Sequence, residues 1–84
     1  MNMKIVGVKC VTFVVDGKER NGFEVYLTYP KDGIDGVACV NAYLSMRTCE
    51  FCKYMPVVGD EVKGKFRRHG TGNRLSFSWL YPVA

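Results

Sequence analysis

Gly59 to Pro82 reads G-D-E-V-K-G-K-F-R-R-H-G-T-G-N-R-L-S-F-S-W-L-Y-P, two alternating segments on either side of a glycine-rich break. His69-Gly70-Thr71-Gly72-Asn73 is the expected loop, because clustered Gly and Asn favour turns. Side chains alternate across a strand, so Val62, Gly64 and Phe66 share one face of the first segment while Glu61, Lys63, Lys65 and Arg67 share the other. In the second segment Leu75, Phe77, Trp79 and Tyr81 oppose Arg74, Ser76 and Ser78. One face is expected to be core and the other cationic or hydroxylic. No acidic residue follows Glu61, whereas Lys63, Lys65, Arg67, Arg68 and Arg74 all do. A hairpin with that bias suits an anion.

Upstream the same alternation recurs. Met3 to Val15 is rich in β-branched residues, which suit a pleated surface, and reads as a first strand. Asp16 to Gly22 carries D-G at one end and N-G at the other, both able to supply the positive φ of a tight turn, so it reads as a loop with Lys18 and Arg20 near its tip. Phe23 to Tyr29 is a second strand, with Phe23, Val25, Leu27 and Tyr29 opposed to Glu24, Tyr26 and Thr28. Pro30 to Gly36 is a loop, and Val37 to Leu44 a third strand with Ala38, Val40, Ala42 and Leu44 on its core side. Ser45 to Val58 is irregular, with room for one or two helical turns that Pro56 limits. The expected fold is therefore all-β: a small five-stranded barrel like the oligonucleotide-binding fold, with an irregular or briefly helical connection between strands 3 and 4. An SH3-like barrel has a similar strand count.

The chain has 84 residues and reads as a single domain over residues 1–84. A domain this small buries only roughly 60% of its unfolded surface, which makes self-association, most simply a homodimer, an expectation. Its net charge is +4, which favours an acidic partner, polyphosphate above all. The N-terminal run is short and broken by Lys9, without a signal-peptide core, and no segment approaches the ~20 apolar residues of a membrane span. A soluble, cytoplasmic protein without membrane contact is expected, its cysteines reduced.

Five Tyr, five Phe and one Trp are more aromatic residues than so small a core can take. Proteins that hold single strands combine cations along the phosphates with exposed rings under the bases. Tyr26 and Tyr43 fall on the outer faces of their strands, and Tyr54 lies beside Lys53 in the irregular segment. Lys18 and Arg20 on the first hairpin, and Lys63, Lys65, Arg67, Arg68, His69 and Arg74 on the last, complete the candidate nucleic-acid site. Phe23, Phe66, Phe77 and Trp79 are expected in the core. The bland alternatives are wet-tipped tyrosines and lysines that guard a sheet edge.

Cys49-Glu50-Phe51-Cys52 has the spacing of half a zinc knuckle or of a redox pair, yet a structural zinc needs two further ligands and the chain has one histidine. Ordinary buried cysteines are the simpler reading, so no metal and no cofactor is expected. A lone His on a basic loop makes a poor base for a nucleophile. An enzyme is not expected. The rival classes are an SH3-like protein-interaction module and a small zinc-stabilised structural protein.

Val40-Asn41-Ala42-Tyr43-Leu44, Pro56-Val57-Val58-Gly59-Asp60-Glu61-Val62, the basic hairpin and the closing Leu80-Tyr81-Pro82-Val83-Ala84 together resemble the small single-stranded-DNA-binding proteins of filamentous phages. The likeness covers the second half of the chain and the first hairpin with Phe23 and Tyr26. It implies a dimeric oligonucleotide-binding barrel that coats single-stranded DNA with little sequence preference, in replication or transfer of a phage or mobile element. RNA is the neighbouring alternative. By position, Lys18, Arg20, Tyr26, Arg67 and Arg68 look like that family's DNA contacts, and the last hairpin looks like part of its protein contacts.

Overall fold

The computed structural model of the chain describes residues 2–68 and 75–83, with backbone alone at positions 13 and 15. The expected loop His69 to Asn73, and with it His69 and Arg74, lies outside the described residues. Five strands and one helix follow in order: β1 (Met3–Val15), β2 (Lys18–Tyr29), β3 (Ala38–Ser45), α1 (Met46–Cys52), β4 (Glu61–Arg68) and β5 (Leu75–Pro82). The strands close into a barrel in the order β1-β2-β3-β5-β4. Neighbours are antiparallel except β3 and β5, which meet in parallel at Tyr43 and Ser76. That closure, with a helix between β3 and β4, is the oligonucleotide-binding architecture expected of the sequence, and it separates the chain from an SH3-like barrel. No helix among the described residues is long and apolar enough to cross a membrane.

Every strand contributes to the core. Ile5, Val25, Leu27, Leu44, Val62, Phe77 and Leu80 are fully buried, and burying each such side chain contributes about 1.5–3 kcal/mol. Phe66 packs on Phe77, ring centroids 4.8 Å apart. On β2 and β3 the inward and outward sets match the alternation of the sequence.

Three readings of the sequence need correction. The first turn is not the whole of Asp16 to Gly22 but Asp16 and Gly17 alone, at φ 52° and 73°, closed by a Val15–Lys18 pair. Both central residues lie at positive φ, as a two-residue hairpin turn that follows strand twist requires. Asn21 and Gly22 instead pair with Thr12 and Val11 inside the ladder. Gly22 is there for close approach, since a Cβ would meet the Tyr43 hydroxyl at 2.5 Å and the Leu44 carbonyl oxygen at 2.7 Å. Second, the third strand runs Ala38–Ser45 rather than Val37 to Leu44.

The third correction bears on the site. On β5 the expected alternation holds through Phe77 and then breaks. Phe66 pairs with Phe77 but Lys65 pairs with Trp79, so Ser78 is an extra residue, a bulge. Leu80, opposite Gly64, takes the buried place expected of Trp79, while Trp79 and Tyr81 stand on the outer side with Lys65 and Lys63. Gly64 permits the exchange, because a Cβ there would meet the Trp79 carbonyl oxygen at 2.8 Å and Leu80 Cδ1 at 3.0 Å. Ser76, expected to be exposed, is buried, and its Oγ is without a hydrogen-bond partner.

Helix α1 begins where Ser45 Oγ accepts the Thr48 amide at 3.1 Å, an N-cap that satisfies one of the orphan donors of the first turn. It ends at Lys53, in the left-handed region at φ 54°, whose amide donates to the Cys49 carbonyl, three residues ahead of Pro56. Cys49 and Cys52, one turn apart, are its buried residues. The Leu80 amide donates to Cys52 Sγ at 3.5 Å, so the helix satisfies a donor of β5.

Candidate nucleic-acid interface

The outer faces of β2 and β3 carry Glu24, Tyr26 and Thr28 beside Cys39, Asn41 and Tyr43, because these positions have the parity opposite to the buried Val25, Leu27, Ala42 and Leu44. Strand pairing fixes the rows. Gly7, Tyr26 and Asn41 are neighbours across β1, β2 and β3, and so are Lys9, Glu24 and Tyr43. The second row continues through Ser76 of β5 to Arg67 of β4. That row passes round all five strands of the barrel, with Tyr43 half-buried at its middle and Ser76 buried between Tyr43 and Arg67.

Tyr26 is 39% exposed. Its ring lies along Gly7, where an added Cβ would stand 3.3 Å from Tyr26 Cδ2. The Tyr26 hydroxyl donates to the Glu24 carboxylate, and this bond is the main reason its pKa is raised, followed by burial and the nearby negative charge. Asn41 Nδ2 donates to Glu24 Oε1 at 2.7 Å. Glu24 therefore holds Tyr26 and Asn41 in place. The ring of Tyr43 covers Gly22, and its hydroxyl donates to the Asn21 carbonyl at 3.3 Å. Burial pushes the Tyr43 hydroxyl up, with the Arg20 guanidinium opposing that shift.

The first hairpin adds its cations from the same side. Lys18 and Arg20 share strand parity with Gly22, Glu24 and Tyr26, and both are exposed on a ribbon that runs beyond the barrel. Of the expected set, Lys18, Arg20 and Tyr26 share the outer side of β2, with Tyr43 beside them on β3, while Arg67 lies two strands further round the barrel on β4. Arg68 is exposed at the end of β4, opposite Leu75. Lys63 and Lys65 lie further along the outer side of β4, across from Tyr81 and Trp79.

Tyr54 does not join them. It is half-buried against the core, and its hydroxyl donates to Asp60 Oδ2 at 2.7 Å. Burial, then this carboxylate, pushes it up to about 12. Asn41 and Glu24, absent from the expected set, are hydrogen-bonded to each other beside Tyr26, and Glu24 is the one that acts on its hydroxyl. Their signal was the strand parity they share with it, which separates an outward polar residue from solvent only once β2 and β3 are in register.

The four cysteines are free thiols, Cys10 and Cys39 exposed and Cys49 and Cys52 buried. Burial first, then the neighbouring Cys52, pushes the Cys49 thiol up, which keeps it protonated and a poor nucleophile. Among the described residues no group of three or more His, Cys, Asp or Glu side chains is placed to hold a metal ion.

Compared with known proteins, this chain matches no family model, no curated protein and no solved structure.

Proposed function

We propose that the protein binds single-stranded DNA without catalysis and with little sequence preference. The observation that supports this reading is that the exposed cations Lys18 and Arg20 share the outer side of β2 with Tyr26, beside the outward Tyr43 of β3, with Arg67 at the end of the Tyr43 row two strands away. Cations so placed follow phosphates, and each ring offers a face to a base, a contact worth ~1–3 kcal/mol. Strands 2 and 3 are also the surface that oligonucleotide-binding barrels use. Tyr26 is the better platform, because Tyr43 already covers Gly22. The sequence resemblance adds the biological setting: a dimer that coats DNA during replication or transfer of a phage or mobile element.

Fluorescence anisotropy of a labelled oligo-dT strand, at low and at moderate salt, tests the proposal. The wild type binds at low salt, and Arg20→Ala/Arg67→Ala weakens binding about tenfold or more through the loss of two phosphate contacts. Absence of binding at low salt would refute it. An oligo-U strand of the same length in parallel decides between DNA and RNA.

A further inference from the structure

The bulge at Ser78 leaves a second aromatic surface outside the barrel. Trp79 and Tyr81 lie side by side, ring centroids 5.6 Å apart and planes tilted by 36°. Lys65 stands directly across from Trp79 and Lys63 across from Tyr81, close enough for each pair to touch. The rings are not needed to fill the barrel at this level, where Phe77 and Leu80 are buried. Tyr81 is 37% exposed.

The lysines also form a line. Lys63, Lys65 and Arg67 occupy successive outward positions of β4, all exposed, with a spacing of about 6.6 Å. Arg67 ends that line in the row of Tyr43. Glu61, the acid on the same face, stands opposite Lys4 in the β1–β4 ladder, and no acid follows it in the chain. A line of cations on β4 therefore runs beside the Trp79–Tyr81 pair and ends at Arg67, one strand from the buried Ser76 and two from Tyr43.

We infer that Trp79 and Tyr81, with Lys63 and Lys65, form a second stacking platform for a single nucleic-acid strand that leaves the Tyr26–Tyr43 surface along β4. This inference rests on the single-strand reading above and lengthens its binding path. Bases stack on the two rings, and the lysines take the phosphates between them. Phe51, 74% exposed on α1, gives the neighbourhood some apolar character that a protein partner would use. The unbroken run of cations favours the polyanion.

Trp79 is the only tryptophan, so its emission reports on this platform alone. The unmodified chain is titrated with a labelled mixed-sequence strand of about 16 nucleotides, the upper site size of one such barrel, with label anisotropy and Trp79 emission recorded together. Lys63→Ala/Lys65→Ala, a change of two exposed side chains, is titrated alongside. Emission is expected to fall in step with the rise in anisotropy, and the double variant to bind about tenfold more weakly with a salt slope shallower by about 1.4. Saturating anisotropy with unchanged Trp79 emission would overturn the second platform alone and assign the rings to a protein contact. No anisotropy change at low salt would overturn both readings.

Discussion

Glu24 is the one acid in the middle of the candidate surface, and it is held by the Asn41 amide at 2.7 Å and by the Tyr26 hydroxyl. It positions the ring that is to stack, and its charge also repels a phosphate nearby. Glu24→Gln keeps an oxygen to accept from either partner and removes the charge. Binding at low salt should tighten by about two- to fivefold, with the gain fading above roughly 0.2 M salt as screening sets in. Unchanged or weaker binding across that range would mean that the carboxylate, and not merely its oxygen, is required. Tyr54 gives a prediction about stability. Its folded hydroxyl titrates at about 12 rather than at the ordinary 10.0. The folded chain keeps a proton that the unfolded chain gives up, so this contribution is complete below pH 10 and is lost as pH rises from about 10 through 12. Tyr54→Phe should cost about 1 kcal/mol at neutral pH, and its deficit against the wild type should shrink when urea midpoints are measured at pH 11. A deficit independent of pH would refute the role given to the Asp60 bond.

At the scale of elements, two glycines set how the strands come together. Gly22 lets Tyr43 fold over β2, and Gly64 lets Phe77 and Leu80 approach β4. An alanine at either would press on backbone oxygen, at 2.7 Å from Leu44 or 2.8 Å from Trp79, where the neighbour has least freedom to move. Gly22→Ala and Gly64→Ala should each destabilise by about 1–3 kcal/mol in urea unfolding, and a cost within error of zero would contradict the packing described. These elements also mark the limit of what the sequence made legible. The strand faces of β2, β3 and β4 followed from alternation, because one buried face fixes the register. The β5 bulge did not, because Leu75, Phe77, Trp79 and Tyr81 make an unbroken apolar pattern at strand spacing, whereas the buried residue after Phe77 is Leu80. The N-G at Asn21-Gly22 misled for a similar reason. A turn dipeptide and a glycine required by a cross-strand ring have the same letters.

For the whole molecule, the closed order β1-β2-β3-β5-β4 sets where residues far apart in the chain stand on the barrel. Lys18 and Arg20 arrive on the first hairpin and Arg67 on β4, and the Tyr43–Ser76 contact of β3 and β5 closes the barrel between them. That parallel contact is the long-range event no local pattern announces, so the site residues were legible one by one but their relative placement was not. Tyr54 illustrates the difference: beside Lys53 it reads as a surface ring, and in the barrel it is pinned to Asp60. If the cations act together, the logarithm of affinity for a single strand should fall with the logarithm of salt at a slope of about −2 for Lys18, Arg20 and Arg67, and about −3.5 if Lys63 and Lys65 also engage. The most direct test of the central claim is an amide-resolved NMR titration of the chain with a short oligo-dT strand. The account predicts shifts concentrated at Lys18, Arg20, Tyr26, Asn41, Tyr43 and Arg67. Shifts confined to the Pro30–Val37 loop or to α1, or none at all, would contradict it.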